Sequence, residues 1–171
     1  MYRLGLENVG EPYRSLLRKL VPALQRAFGA NLVSVAVFGS VARGEARRDS
    51  DLDILVIAKG LPRHRFERTA IFEKAEREVE KLLEELFDAG YAVPLSPIIL
   101  TPEEAAKIPP ILLDLVEDAV IVYDCGDFLR KLLDYLRERL KELGAERIHV
   151  GKKWYWRLKK DFRFGEVIVI E

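Results

Sequence analysis

The stretch LVSVAVFGSVARGEARRDSDLDILVI, residues 32–57, decides the fold of this chain. Its first seven residues are mostly apolar and β-branched, and such a short run bounded by Gly39 predicts a strand followed by a tight turn. Ser40 is suited to cap a short helix over the next three residues. A second apolar run over 52–57 predicts another strand. The stretch therefore predicts a strand, a turn, a short helix, a loop and a strand.

The turn and the second strand carry residues suited to phosphate and metal. Gly39 allows close approach of a ligand to the backbone, and the N-terminus of a helix attracts anions. Asp51 and Asp53 lie two residues apart at the start of the second strand, so both side chains project from one face of the sheet. A phosphate-binding turn beside two carboxylates suits Mg²⁺ and a nucleoside triphosphate.

The joined motif GSVARGEARRDSDLDILV resembles the signature of the DNA polymerase beta-like nucleotidyltransferase superfamily, in particular its small prokaryotic branch. The matching elements are Gly39-Ser40, Ala42-Arg43-Gly44 and Ser50-Asp51-Xaa-Asp53. The resemblance implies an α/β (α+β) fold with a small mixed sheet flanked by helices. It also implies that Gly39 and Ser40 bind the triphosphate, and that Asp51 and Asp53 are the catalytic, magnesium-binding pair.

Four further residues around the turn are predicted to contribute to nucleotide binding. Arg47 or Arg48 could pair bidentately with phosphate oxygens. Arg43 belongs to the family motif, where its role is compatible with structural support. Ser50 is expected to hydrogen-bond within the loop and to orient the two aspartates.

One expected acidic residue is missing. In the resembled family a third carboxylate lies on a later strand, which here should be residues 91–100, YAVPLSPIIL, and this segment contains no Asp or Glu. Ser96 occupies the aligned position, and a hydroxyl is a poor ligand for a hard cation and a poor base. Glu103 and Glu104 are the nearest acids downstream, but they are explained by a helix start after Thr101. Nucleotide binding is therefore better supported than catalysis.

The remaining pattern predicts a nucleotidyltransferase domain over 1–124, with a C-terminal helix and a Trp-rich basic tail over 125–171 packed on it. Apolar spacing predicts long helices over 11–28, 64–89 and 128–143, short helices near 101–107 and 111–118, and strands over 91–100 and 119–123. Pro22 predicts a kink or break in the first helix, and Pro94 and Pro97 predict that the strand over 91–100 is an edge strand or carries a bulge. Residues 1–10 carry little pattern and are expected to be loose.

The tail leaves two interpretations open. It places Trp154 and Trp156 on one face of an extended segment and has seven basic residues against four acidic ones over 145–171. Aromatic and basic residues together can bind RNA by stacking and charge. A hairpin that covers a sheet edge or a dimer partner explains the same pattern, and we favour this structural interpretation.

Composition restricts the remaining possibilities. Lys and Arg together number 28, as do Asp and Glu, so net charge gives no reason to expect general nucleic-acid binding. Abundant Glu, Lys and Arg with only one Gln and two Asn is typical of thermophiles. Cys125 is the only cysteine, which excludes an intramolecular disulfide. No signal-peptide pattern and no apolar run long enough to span a membrane is present, so we expect a cytoplasmic protein.

Three functions are compatible with these observations. The first is a Mg²⁺-dependent nucleotidyltransferase that moves a nucleoside monophosphate from a triphosphate, expected to be ATP, to a protein, an RNA end or a small molecule. The resemblance implies that a protein acceptor is plausible, because some members of the branch are antitoxins that nucleotidylate a helical toxin. The second is a degenerate nucleotide- or partner-binding module, and the third is an RNA-binding accessory protein that uses the tail. A homo-oligomer is compatible with all three.

Overall fold

A five-stranded mixed sheet forms the centre of the computed structural model, which describes residues 1–170. Its strands are β1 (Arg3–Leu4), β2 (Leu32–Phe38), β3 (Leu52–Ala58), β4 (Leu95–Leu100) and β5 (Val120–Asp124), in the spatial order β1-β5-β2-β3-β4. β2 is antiparallel to β3 and β5, whereas β3 pairs with β4, and β1 with β5, in parallel. The predicted mixed α/β architecture is confirmed.

Helices cover both faces of this sheet. They are α1 (Tyr13–Phe28), α2 (Gly39–Arg43), α3 (Arg65–Asp88), α4 (Pro102–Ala106), α5 (Ile111–Asp118) and α6 (Phe128–Leu143). Leu52, Ile54 and Val56 pack on the side of α1 and α3, whereas Leu55 and Ile57 pack on the side of α5 and α6. Because both faces are covered, β2 and β3 are apolar except for Ser34 and Asp53.

The first helix differs from its prediction, because α1 runs through Pro22 without a break. The residues that flank the proline are buried against the rest of the core (Leu20, Val21, Ala23 and Leu24). The packing of this face compensates for the backbone hydrogen bond that a proline inside a helix cannot donate.

Two further elements differ from the sequence prediction. Residues 3–4, expected to be loose, form β1, which pairs with β5 in the register Arg3 to Val120. β4 begins at Leu95 rather than at residue 91, and it is the edge strand that its prolines predicted.

The tail forms a hairpin on α5. Its strands are β6 (Glu146–Val150) and β7 (Lys153–Arg157), and the half-buried Trp154 and Trp156 alternate with exposed residues in β7 as expected for one shared face. Both indole Nε1 groups donate to Asp114 Oδ1, each at 2.9 Å. The hairpin is thereby attached to the helix that ends at Asp118.

Across residues 1–170, none of the helices combines the length and the apolar character that crossing a membrane requires.

Candidate active site

The backbone of Gly39 lies directly against the carboxylate of Asp53. Phe38, the last residue of β2, pairs with Asp53 of β3, and the chain then turns at Gly39 with φ of +70°. A Cβ at this position would lie 2.2 Å from Asp53 Oδ2. The turn therefore requires glycine for two reasons, its left-handed backbone and the absence of a side chain.

Asp51 and Asp53 lie at the start of β3, where the alternation of the strand directs both side chains toward the face covered by α5 and α6. Asp51 is exposed and Asp53 is half-buried. Burial, and then the charge of Asp51, raise the pKa of Asp53, while Arg43 and a hydrogen bond from Ser96 lower it. A cation bound between the two carboxylates would relieve this unfavourable charge.

Ser96 lies beside Asp53 in the parallel register of β3 and β4. No group of three or more His, Cys, Asp or Glu side chains within residues 1–170 is placed to share a metal ion. The carboxylates of Asp51 and Asp53 still fit one Mg²⁺, because this cation keeps several waters and takes substrate phosphate oxygens as ligands.

Glu104 does not replace the missing acid. Its carboxylate accepts from Arg68 at 2.7 and 2.9 Å and from the Thr101 backbone N–H at 2.9 Å. The Thr101 hydroxyl in turn accepts from the Glu104 backbone N–H, which completes a capping box at the start of α4. The Glu104 carboxylate therefore stabilises the N-terminus of α4.

The short helix α2 begins two residues earlier than predicted. Its N-cap is Phe38, and no side chain caps it, so the prediction that Ser40 is the N-cap is wrong. The positive φ of Gly39 turns the chain at once, which leaves Ser40 inside the first turn. Ser40 still lies next to the contact between Gly39 and Asp53.

Arg43 leaves α2 toward the C-terminal hairpin. Its Nε donates to Glu45 at 2.9 Å, and its guanidinium lies 3.6 Å from Asp118 Oδ2 and 4.7 Å from the centre of the Trp154 ring. These contacts connect α2 with α5 and β7.

Sequence reasoning missed Asp118, Arg147 and Trp154 as neighbours of the site. Arg147 donates to Asp118 at 2.7 and 3.2 Å and lies 5.0 Å from the Trp154 ring. Asp118 is 7% exposed and is the last residue of α5, where the helix dipole disfavours a carboxylate. A carboxylate at the predicted end of a helix was the one feature of the sequence that could have indicated cationic partners for Asp118.

The loop between α2 and β3 carries the other predicted residues. The Arg47 backbone N–H donates to Ser50 Oγ at 2.8 Å, and the Arg47 carbonyl accepts from the Tyr13 hydroxyl at 2.9 Å. Arg48 lies 5.2 Å from the Tyr91 ring. Ser50 thus hydrogen-bonds within the loop that leads to Asp51, and the roles of these residues toward nucleotide stay predictions.

Similarity to known proteins identifies the family of this chain. Residues 17–153 match the model of the nucleotidyltransferase domain. A candidate protein adenylyltransferase of Methanocaldococcus jannaschii, MJ1305, is 31% identical over 142 residues, which is 82% of this chain and 91% of that protein. The predicted family and the predicted class of enzyme are confirmed.

Two solved structures are similar to this chain at low sequence identity. A candidate nucleotidyltransferase from Sulfolobus solfataricus is 23% identical with a TM-score of 0.42, covering 64% of this chain and 78% of the other. The second is one chain of the structure of the tri-AMPylated Shewanella oneidensis HEPN toxin in complex with MNT antitoxin. That chain is 16% identical to this one with a TM-score of 0.42, and the match covers 77% of this chain and 92% of the other.

Proposed function

The chain belongs to the nucleotidyltransferase domain family, and from this premise we propose that it transfers AMP from ATP to a hydroxyl group of a protein. The name of the relative MJ1305, a candidate protein adenylyltransferase, supports both the nucleotide and the kind of acceptor. The reaction is proposed to require Mg²⁺.

One observation carries the proposal, namely the contact between Gly39 and Asp53. It places a backbone turn free of side chains beside a carboxylate pair, with Asp51 exposed and Asp53 half-buried. This is the arrangement needed to hold the phosphates of a nucleotide and a cation together. A merely structural turn would not require a carboxylate to lie in the space of a glycine Cβ.

In the proposed reaction the acceptor oxygen attacks the α phosphorus of ATP. The new O–P bond forms as the bond from the α phosphorus to the bridging oxygen breaks, and pyrophosphate leaves. Asp51 and Asp53 would hold Mg²⁺, which supplies charge neutralisation of the pyrophosphate when bound. The proton of the acceptor hydroxyl passes to bulk water, which reaches the site beside the exposed Asp51.

The surrounding residues have supporting roles in this proposal. Ser40, Arg47, Arg48 and Ser50 lie on the turn and the loop that would surround the triphosphate. Arg43 contributes to nucleotide binding by holding α2 against α5 and the hairpin.

A second candidate function is nucleotide binding without turnover. The observation that favours it is Ser96, which pairs with Asp53 where the resembled family has its third carboxylate. Such a module would bind ATP and Mg²⁺ without releasing pyrophosphate.

The first test is calorimetric titration of ATP with and without Mg²⁺, using the wild type, Asp51→Ala and the loop control Asp49→Ala. We expect magnesium-dependent binding that is lost only in Asp51→Ala. No binding of ATP to the wild type would overturn the proposal.

The second test separates the two functions. The protein is incubated with Mg²⁺, a synthetic peptide containing Ser, Thr and Tyr, and ATP radiolabelled at either the α or the γ phosphorus. Label from the α position alone on the peptide or on the protein itself would support transfer of AMP. Binding of ATP without incorporation of label would instead support the binding module.

A further inference from the structure

A groove of about 850 Å³ lies along the free edge of β4, between the start of α3 and the end of α4. Its basic residues include Arg63, Arg65 and Lys107, and its apolar residues include Phe66, Pro97 and Ile98. We call it the basic groove. It is separate from the Gly39 turn and belongs to no role assigned above.

The cations of the basic groove are available to a ligand. Arg68 is already occupied, because it donates to Glu104 and to the Pro62 carbonyl. The side chains of Arg63, Arg65 and Lys107 are exposed. Lys107 lies in the field of the Glu104 carboxylate, whose pKa it helps to lower, so the two arginines are the charges that the groove offers to a ligand.

The apolar part of the groove includes a side chain that is exposed to solvent. The Phe66 side chain is 89% exposed, although a phenylalanine is normally at least partly buried. An exposed aromatic residue surrounded by polar groups is a typical anchor point of a protein interface.

The basic groove begins next to the candidate active site. Pro97 lines it, and the preceding residue, Ser96, is paired with Asp53 in the register of β3 and β4. Since a strand rises roughly 3.3 Å per residue, the near end of the groove lies within about 7 Å of the position of Ser96 along β4. A segment bound there could place a hydroxyl group beside the carboxylate pair.

We propose that the basic groove binds an acidic segment of the acceptor protein that carries an apolar side chain for Phe66, an inference that rests on the proposed function. Arg63 and Arg65 select the acidic residues, and the apolar lining contacts the anchor. The aliphatic residues Pro97, Ile98 and Leu100 of the lining also favour a protein, because nucleic-acid bases bind chiefly by stacking on aromatic side chains, whereas aliphatic groups pack against apolar peptide side chains.

The segment is not expected to extend the sheet as an added strand. Pro97 has no backbone N–H to donate, and the Ile99 carbonyl already accepts from Arg68 at 3.2 Å. Recognition therefore depends on side chains, so substitutions in the groove should change affinity directly.

The test measures anisotropy of a fluorescein-labelled peptide in which glutamates flank Tyr-Leu-Phe, with a second peptide carrying lysines in place of the glutamates. The groove variant is Arg63→Glu with Arg65→Glu. The matched control is Arg77→Glu with Lys81→Glu, which makes the same charge change at exposed positions farther along α3.

We expect the acidic peptide to bind the wild type and the control alike, more weakly as salt increases, and to lose at least about tenfold in affinity in the groove variant. Phe66→Ala should weaken binding several-fold without removing its salt dependence. The lysine peptide should not bind. Equal binding to the wild type and the groove variant, or binding of both peptides alike, would overturn the proposal.

Two further measurements separate this inference from its premise. The groove variant should bind ATP with Mg²⁺ as the wild type does, since it leaves the Gly39 turn intact. Peptide binding in a wild type that fails to bind ATP would overturn the proposed function while supporting the groove. Binding of a single-stranded RNA with the same dependence on Arg63 and Arg65, without binding of the acidic peptide, would make the groove a nucleic-acid surface and overturn the proposal.

Discussion

Replacement of Gly39 by alanine tests the geometry on which the proposed active site depends. The substitution adds one methyl group at a position with φ of +70°, in direct contact with Asp53. Gly44, at the other end of α2, supplies a matched control, because its φ is +73° and no atom lies within 4 Å of a Cβ built there.

Gly39→Ala and Gly44→Ala share the cost of a left-handed backbone, but only the first adds a steric clash with Asp53. A left-handed backbone costs an alanine roughly 1–2 kcal/mol relative to glycine, so both variants should lose about this much stability. In Gly39→Ala the new Cβ would lie 2.2 Å from Asp53 Oδ2, and ordinary contact starts at 3.4 Å. The carboxylate must therefore move by about 1.2 Å, whereas metal–ligand distances tolerate deviations of about 0.2 Å.

We consequently expect Gly39→Ala to bind ATP with Mg²⁺ roughly 10- to 100-fold more weakly than the wild type, the range typical of a displaced ligand environment. Gly44→Ala should bind as the wild type does. Calorimetric titration gives the two affinities, and urea denaturation checks that both variants are folded and similarly destabilised.

Two results would refute this reasoning. Wild-type affinity in a folded Gly39→Ala would show that the nucleotide and the cation do not depend on the position of Asp53. Equal loss of binding in both variants would show that the backbone strain of α2, rather than the displaced carboxylate, is responsible.

Three further perturbations have definite expected outcomes. Because the pKa of Asp53 is raised, its ionisation disfavours folding at neutral pH. In the absence of metal, Asp53→Asn should therefore melt a few degrees above the wild type at pH 7, and the difference should vanish below about pH 4. Thermal melts of both proteins at several pH values measure this difference. Ser96→Asp should lower the melting temperature without Mg²⁺ by adding a third carboxylate beside the pair, and should raise the rate of AMP transfer at least about tenfold with Mg²⁺, measured by incorporation of α label. Asp118→Ala should cost about 3 kcal/mol in urea denaturation, because it leaves Arg43 and Arg147 without their shared buried carboxylate; a loss below about 0.5 kcal/mol would contradict the contacts described.

The sequence predicts the central elements of the fold because their signals are local. The apolar runs that become β2 and β3 end at Gly39 and begin after Asp51, and the period of two residues places Asp51 and Asp53 on one side without any knowledge of the rest. The edge position of β4 likewise follows from its prolines. Each of these inferences needs only neighbouring residues.

The remaining features depend on pairs far apart in the chain. The register between β2 and β3 brings Gly39 against Asp53, and no local pattern specifies that register. The attachment of the tail depends on Asp114, which accepts hydrogen bonds from two indoles that lie 40 and 42 positions later in the chain. Such contacts arise from packing, so the sequence shows the participants without showing their partners.

The hairpin also makes the chain its own optical reporter. Its two tryptophans are the only ones in the sequence, and both hydrogen-bond to one carboxylate oxygen. The centre of the Trp154 ring additionally lies 4.7 Å from the guanidinium of Arg43 and 5.0 Å from that of Arg147. Part of the intrinsic indole emission therefore originates beside the arginine that leaves α2, and its intensity and wavelength will follow any movement of that arginine when a ligand enters, without an added dye.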